Sequence, residues 1–232
     1  MVLAAGMGVR MRPLTLDRPK ALVTVGGKAL VDHVIDRLVA AGVTRVVINV
    51  HAFADALEAH ARSRTDVEVV ISDERDGLLE TGGGLKRARA FLGDDPILVA
   101  NIDSIWTETP TRPALGRLIE TWDEARMDDL LLLAPMTESL GYDGPGDFHQ
   151  AADGRLTHRG VDAAAPFAHA GVHLMSPGLI EGWPGHPHSI FEHWMAMAAK
   201  GRLFGTVMGG AWMHVGDPSA REAAESRLAL QK

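Results

Sequence analysis

Short apolar segments alternate with amphipathic helical segments through the first 135 residues, and this alternation limits the fold more than any other feature. In the first predicted helix, residues 30–41, apolar side chains recur every three or four positions. The predicted strands are residues 2–5, 44–50, 67–71, 96–100 and 128–135, and the other predicted helices are residues 52–61 and 85–92. Such alternation is typical of βαβ units, so the sequence predicts an α/β fold with a mixed, mainly parallel sheet.

The chain changes character after about residue 138, where glycine-rich turns become frequent. A turn at Asp153-Gly154 between residues 148–151 and 155–158 predicts a β-hairpin. A strand at 168–175, a helix at 190–199 and a strand at 203–208 follow, and Asp217-Pro218 predicts the cap and first residue of a last helix. No repeat or linker interrupts the chain, so we predict one domain, residues 1–232, in three parts: 1–137, 138–216 and 217–232.

Composition excludes several classes of protein. The chain of 232 residues has no cysteine, which excludes a disulfide framework, a thiol nucleophile and a cysteine-based zinc site. The formal net charge of -7 argues against a nucleic-acid partner, because such proteins usually carry a broad basic face. No apolar run approaches the ~20 residues that span a membrane, so we predict no membrane partner and a cytoplasmic location.

A glycine-containing loop rich in cations follows the first predicted strand. Residues 3–20 carry four cations and one acid, a formal charge of +3 in an acidic chain. Such cations alone are consistent with a solvated surface, but Gly6 and Gly8 would allow backbone N–H groups to approach phosphate oxygens. A dinucleotide fingerprint is excluded because Met11 occupies the position of its third glycine. The loop therefore predicts a polyphosphate site.

Asp103 follows the predicted strand at 96–100 by three residues. Ligands of open α/β sheets bind at the carboxyl ends of the strands, and a carboxylate there suits Mg²⁺ bound together with substrate phosphates. The alternative is that Asp103 only caps the next turn.

The motifs in this order resemble those of the sugar-1-phosphate nucleotidylyltransferases. Residues 3–20 match the family pattern L-A-A-G-x-G-x-R-M-x-P-L-T followed by x-P-K. Residues 80–84 and 146–148, together with the short length, are most similar to the small uridylyltransferases that act on N-acetylmuramate 1-phosphate in peptidoglycan recycling. The resemblance implies a Rossmann-like fold of the nucleotide-diphospho-sugar transferase type, with helices on both faces of the sheet. It implies transfer from a nucleoside triphosphate, UTP favoured, to a sugar 1-phosphate.

The resemblance also implies roles for individual residues. Catalysis is expected from Arg10, Lys20 and Asp103. Nucleotide binding is expected from Leu3, Ala5, Gly6, Gly8, Glu80, Thr81, Gly82 and Gly83, although Thr81 could instead cap the helix at 85–92. Sugar-phosphate binding is expected from Asn101, Gly146, Asp147 and Gly171, with residues 1–137 as the nucleotide part and 138–216 as the acceptor part.

Two residues depart from the family pattern. Ile102 stands where a glycine is usual, and His214 stands where an acid is usually the second metal ligand beside Asp103. Asp103 and His214 are therefore the expected ligands of Mg²⁺, with Mn²⁺ as the alternative because imidazole suits it better. Histidine here is also consistent with weak or redirected activity, or with no metal role.

Other functions and assemblies remain open at this stage. They are a mannose- or glucose-1-phosphate enzyme using GTP or dTTP, a non-catalytic nucleotide or sugar-phosphate binder, and any oligomeric state.

Overall fold

The computed structural model describes residues 1–109 and 113–230, which contain fourteen strands and six α-helices. The strands are β1 (Val2–Leu3), β2 (Thr24–Val25), β3 (Lys28–Ala29), β4 (Arg45–Val50), β5 (Glu68–Asp73), β6 (Ile97–Asn101), β7 (Ser104–Trp106), β8 (Asp129–Pro135), β9 (Ser139–Leu140), β10 (Phe148–Gln150), β11 (Leu156–His158), β12 (Phe167–Met175), β13 (Leu203–Val207) and β14 (Trp212–His214). The helices are α1 (Leu30–Ala40), α2 (Ala54–Arg62), α3 (Glu80–Ala88), α4 (Ala114–Thr121), α5 (Ile190–Ala199) and α6 (Pro218–Ala229).

The central sheet has the order β13-β8-β12-β6-β1-β4-β5. Strands β5, β4, β1 and β6 are mutually parallel, β12 is antiparallel to both β6 and β8, and β13 is parallel to β8. Six of these seven strands therefore point the same way, which confirms the mixed, mainly parallel sheet. The β10–β11 hairpin, also predicted, pairs with the start of β12.

Apolar residues at successive positions along the strands lie on opposite faces of the sheet and fill two cores, one on each face. On β8, Leu130 and Leu132 enter one core, whereas Leu131 and Leu133 enter the other. Helices α1, α2 and α4 contribute to the first core and α3 and α5 to the second, so helices cover both faces as expected. Burial on both faces explains why the sequence of β8 is a continuous apolar run.

The strand order reverses beside β1. The chain passes from β1 to β4 and β5 on one side, and then crosses to β6 on the other side of β1. Connections that leave neighbouring strands in opposite directions open a crevice at the carboxyl ends of those strands. Here the crevice lies beyond Leu3 of β1 and its partner in register, Asn101 of β6.

Most predicted elements are confirmed within one to three residues, with some informative differences. Helix α5 has the predicted bounds, and Asp217 caps α6 by accepting a hydrogen bond from Ala220 N at 2.9 Å. The helix predicted at 85–92 instead begins at Glu80, so the glycines of residues 82–84 lie inside α3. Strands β2, β3, β7, β9 and β14 and helix α4 were not predicted. The three-part division of the domain stays a prediction.

Among the described residues, no helix combines the length and the apolar character that crossing a membrane requires.

Candidate active site

The cationic loop and Asp103 meet because they leave neighbouring parallel strands. Residues Val2 and Leu3 of β1 pair with Ala100 and Asn101 of β6, so both strands end at the same edge of the sheet. The loop then returns to that edge, where Lys20 Nζ donates to Asp103 Oδ2 at 2.9 Å. Two segments that are 83 residues apart in sequence thus form one site.

A left-handed glycine shapes the loop. Gly8 has φ +61°, and a Cβ there would lie 3.0 Å from the Lys20 Cβ and 3.1 Å from Thr15 Cγ2. Thr15 Oγ1 donates to Gly8 O at 2.8 Å and closes the turn. The loop therefore packs tightly around Gly8, which tolerates both the backbone angle and the close contact.

His214 reaches Asp103 through a small second sheet. Strand β14 pairs with β7 so that His214 lies opposite Ser104, and Val215 N donates to Asp103 O at 2.8 Å. His214 Nε2 lies 3.6 Å from Asp103 Oδ2, while its Nδ1 lies 3.2 Å from Gly141 O. Both ring nitrogens of His214 therefore face protein oxygen atoms, Nδ1 the carbonyl of Gly141 and Nε2 the carboxylate of Asp103.

Asp103 is an ionised carboxylate between two nitrogen groups. Burial by itself raises the pKa of Asp103, but the hydrogen bonds and charges of His214 and Lys20 outweigh it and hold the pKa well below its usual range. The Lys20 side chain is 10 % exposed and that of Asp103 24 %, so the pair is shielded on the lysine side and open towards the crevice. This arrangement places an acceptor for a cation beside a fixed positive charge.

A cavity of about 480 Å³ lies at this edge of the sheet. Its walls include ten of the residues predicted for the site: Leu3, Ala5, Gly6, Gly8, Arg10, Lys20, Glu80, Thr81, Asn101 and Asp103. Cationic groups and loop glycines occupy part of the wall, and the start of α3 supplies another part. The volume falls in the range of small-molecule and cofactor sites.

Gly82 and Gly83 were expected at the nucleotide, but they do not line the cavity. A Cβ on Gly82 would lie 2.5 Å from the His188 ring, and a Cβ on Gly83 would lie 3.0 Å from His186 O. Both glycines therefore allow α3 to pack against the segment before α5. Thr81 is not the helix cap, which is Leu79, and its Oγ1 instead accepts from Ile190 N at 2.9 Å.

Three residues predicted for the sugar phosphate also lie outside the cavity wall. Asp147 accepts from Tyr142 OH at 2.9 Å and from His169 N at 2.9 Å, so both carboxylate oxygens hold protein groups. A Cβ on Gly146 would meet Ala165 O at 2.2 Å, and one on Gly171 would meet Ser104 Oγ at 2.0 Å. These contacts show that the two glycines are needed for close packing.

Sequence reasoning missed other wall residues, among them Asn49, Leu78 and Ser189. Asn49 lies near the carboxyl end of β4, and a polar residue at that position of a buried strand was the available signal. Ser189 is the N-cap of α5, accepting from Phe191 N at 3.2 Å, and no local pattern indicates that it lies near α3.

Metal binding by protein groups alone is not supported. In residues 1–109 and 113–230, no three His, Asp or Glu side chains lie close enough to hold an ion. Asp103 and His214 supply one oxygen and one nitrogen donor side by side, a set that fits a divalent cation whose other ligands are phosphate oxygens and water.

Comparison with known proteins identifies the family. Residues 1–140 match the MobA-like NTP transferase domain. The chain is 52% identical over 233 residues, 99% of this chain and 96% of the relative, to the N-acetylmuramate alpha-1-phosphate uridylyltransferase of Caulobacter vibrioides. The chain belongs to the sugar-1-phosphate nucleotidylyltransferase family.

A more distant relative agrees with this membership, and two solved structures agree with the fold. A mannose-1-phosphate guanyltransferase of Hypocrea jecorina is 31% identical over 224 residues, 94% of this chain and 60% of that relative. The UDP-glucose pyrophosphorylase from Acinetobacter baumanii superposes with a TM-score of 0.82, at 16% identity, over 99% of this chain and 92% of that one. HddC from Yersinia pseudotuberculosis, complexed with GMP-PN, gives 0.78 at 18% identity over 98% and 97%. These last two likenesses show the fold, the nucleotide-diphospho-sugar transferase type expected from the sequence.

Proposed function

We propose that this family member transfers a uridylyl group from UTP to N-acetylmuramate 1-phosphate, releasing pyrophosphate and forming the UDP-sugar. The observation that carries nucleotidyl transfer is the convergence of the loop glycines, Lys20 and Asp103 on one cavity. The base and the sugar rest on the 52% identity to the Caulobacter uridylyltransferase. A cytoplasmic role in peptidoglycan recycling follows from the same proposal.

The reaction needs little proton chemistry. An ionised oxygen of the sugar phosphate attacks the α-phosphorus of UTP, one oxygen–phosphorus bond forms, and the bond to the β-phosphate breaks as pyrophosphate leaves. Because the attacking oxygen is already anionic near neutral pH, rate enhancement comes from positioning and charge stabilisation. We assign the triphosphate to the backbone N–H groups around Gly6 and Gly8, the pyrophosphate to Arg10, and the α-phosphate and incoming phosphate to Lys20.

A divalent cation completes the proposal. Asp103 and His214 would hold Mg²⁺ or Mn²⁺, and a bound cation would neutralise charge on the phosphates. The histidine favours Mn²⁺ more than a second carboxylate would, because imidazole is a poor ligand for Mg²⁺.

The acceptor sugar is proposed to lie on the β12 side of the cavity. Asn101 is in the cavity wall, and an ideal Cβ on Gly171 of β12 would lie 3.5 Å from the Asn101 Cβ. Gly146 and Asp147 stabilise the adjoining segment, and they would thereby position the wall of the sugar pocket.

A substrate panel tests the function. Each of UTP, GTP, dTTP, ATP and CTP is combined with N-acetylmuramate, glucose or mannose 1-phosphate, and pyrophosphate and the nucleotide sugar are measured with Mg²⁺ and with Mn²⁺. We expect the highest kcat/KM for UTP with N-acetylmuramate 1-phosphate. A clear preference for GTP or dTTP with a hexose phosphate would favour the alternative enzymes. Nucleotide binding without pyrophosphate release in either metal would refute catalysis.

A further inference from the structure

A buried amide–carboxylate pair, Asn49 and Glu74, lies behind the nucleotide side of the cavity. Asn49 is 3% exposed and Glu74 is fully buried. Asn49 contributes to the cavity wall, but Glu74 does not. A buried carboxylate is costly unless its oxygens are hydrogen-bonded, so its contacts need an explanation.

The pair connects three separate segments of the wall. Asn49 Oδ1 accepts from Ala4 N at 2.6 Å, which ties it to the loop that leaves β1. Asn49 Nδ2 donates to Glu74 Oε1 at 2.8 Å. Glu74 Oε2 accepts from Leu79 N at 3.3 Å, immediately before α3. The wall residues next to these anchor points are Leu3, Ala5, Leu78 and Glu80.

Helix α3 also lies directly on the pair. A Cβ on Gly84 would approach Glu74 Oε1 to 2.9 Å and Asn49 Nδ2 to 3.0 Å, so the helix backbone contacts both side chains closely. At the start of the same helix, Glu80 has φ +59°, an uncommon angle for a residue with a side chain. Such an angle persists only when the surroundings fix it, and Leu79 N is one of the fixed points.

We propose that Glu74 and Asn49 are positioning residues that set the distance between the β1 loop and the start of α3, and hence the affinity for the nucleotide. This role rests on the proposed function. Ala4 N is bonded to Asn49 instead of continuing the ladder of β1, so the backbone turns into the phosphate loop at that residue. Glu74 does not line the cavity, so it acts through its hydrogen bonds to Asn49 and Leu79 and its contact with α3.

An exchange of the two chemical groups tests the proposal. In Glu74→Gln, the side chain has only one acceptor oxygen, so its NH2 group must face the N–H donor of either Asn49 or Leu79. In Asn49→Asp, two carboxylate oxygens face each other. In the double variant, the carboxylate introduced at position 49 accepts from Ala4 N and from the amide introduced at position 74. The oxygen of that amide accepts from Leu79 N, so all three hydrogen bonds are restored.

The readouts are the dissociation constant for UTP with Mg²⁺ by calorimetry and the kinetic constants of the reaction. We expect each single variant to weaken UTP binding and raise its KM about 10-fold or more, while kcat and the KM for the sugar phosphate change much less. The double variant should return to within about threefold of the wild type. Circular dichroism and thermal unfolding establish that each variant is folded.

Asp129→Asn is the matched control. Asp129 is a fully buried carboxylate that accepts from His173 Nδ1 at 2.8 Å and Trp194 Nε1 at 2.9 Å, away from the cavity wall. Its substitution should lower stability without changing the affinity for UTP. If the single variants of Asn49 and Glu74 behave like this control, or if the double variant is not restored, the positioning role is wrong. Absence of nucleotide binding and turnover in the wild type would instead refute the proposed function.

Discussion

Replacement of Lys20 by methionine is the sharpest test of the site, because it removes the charge and retains most of the side-chain volume. Lys20 is 9% exposed, and its stem packs beside Gly8, so methionine preserves the apolar contacts while truncating only the ammonium group. The ammonium donates to Asp103 Oδ2 at 2.9 Å, which fixes its position. In the proposed reaction it would be a preorganised charge at the place where phosphate charge develops.

The structure separates the catalytic effect from the stability effect. Loss of one preorganised charge-stabilising group costs about 10² to 10³ in kcat, or roughly 3–4 kcal/mol in the transition state. Loss of the partly exposed ion pair should cost only about 1–2 kcal/mol of unfolding free energy, because Asp103 keeps His214 nearby and is 24 % open to water. For a chain of this length, such a loss lowers Tm by roughly 2–8 °C.

Pyrophosphate release at saturating UTP and N-acetylmuramate 1-phosphate measures kcat, and calorimetric unfolding measures Tm. Lys28→Met is the matched control, since Lys28 Nζ pairs with Asp36 Oδ2 at 2.6 Å outside the cavity wall. The control should keep kcat within about twofold, because exposed pairs contribute little. If Lys20→Met retains kcat within about threefold of the wild type, Lys20 has no catalytic role.

Three further predictions concern the metal, the loop and the response to acid. His214→Asp should lower the ratio of kcat/KM with Mn²⁺ to kcat/KM with Mg²⁺ several-fold, and electron paramagnetic resonance measures the Mn²⁺ affinity. An unchanged ratio would argue against metal ligation by His214. Gly8→Ala should lower stability more than Gly27→Ala in thermal unfolding, because both have positive φ but only Gly8 lacks space for a Cβ; equal losses would contradict this packing. Burial, with the charge of His173, lowers the pKa of His169 to about 3. In the unfolded chain this histidine has a pKa near 6.5, so it binds a proton at a higher pH than in the folded protein. Acid therefore favours unfolding. Protonation of this histidine in the unfolded chain should lower the free energy of unfolding by at most about 2 kcal/mol between pH 7 and pH 5. In urea unfolding over the same pH range, the free energy of unfolding of His169→Gln should fall by that much less than that of the wild type.

Local sequence was sufficient wherever the pattern depended on neighbours in the chain. The bounds of α5, the Asp217 cap and the β10–β11 hairpin follow from helical periodicity, capping chemistry and turn residues. The start of α3 did not follow, because three glycines normally weaken a helix. The glycines lower the stability of the helix, but they are needed because α3 approaches the 186–188 segment and the Asn49–Glu74 pair too closely for side chains.

The sheet type, and the membership of the cationic loop and Asp103 in one site, could be predicted from sequence, since parallel strands present their carboxyl ends at a common edge. Folding in three dimensions was needed to show that His214 faces Asp103 and that Asn49 and Glu74 support the loop. It also showed that Gly82 and Gly83 allow close packing and that Asp147 accepts hydrogen bonds from protein groups. The physical reason is that the hydrogen bonds Ala4–Asn49, Asn49–Glu74 and Asp147–His169 join residues at least 22 positions apart, so they depend on strand register and helix packing, which no local pattern encodes.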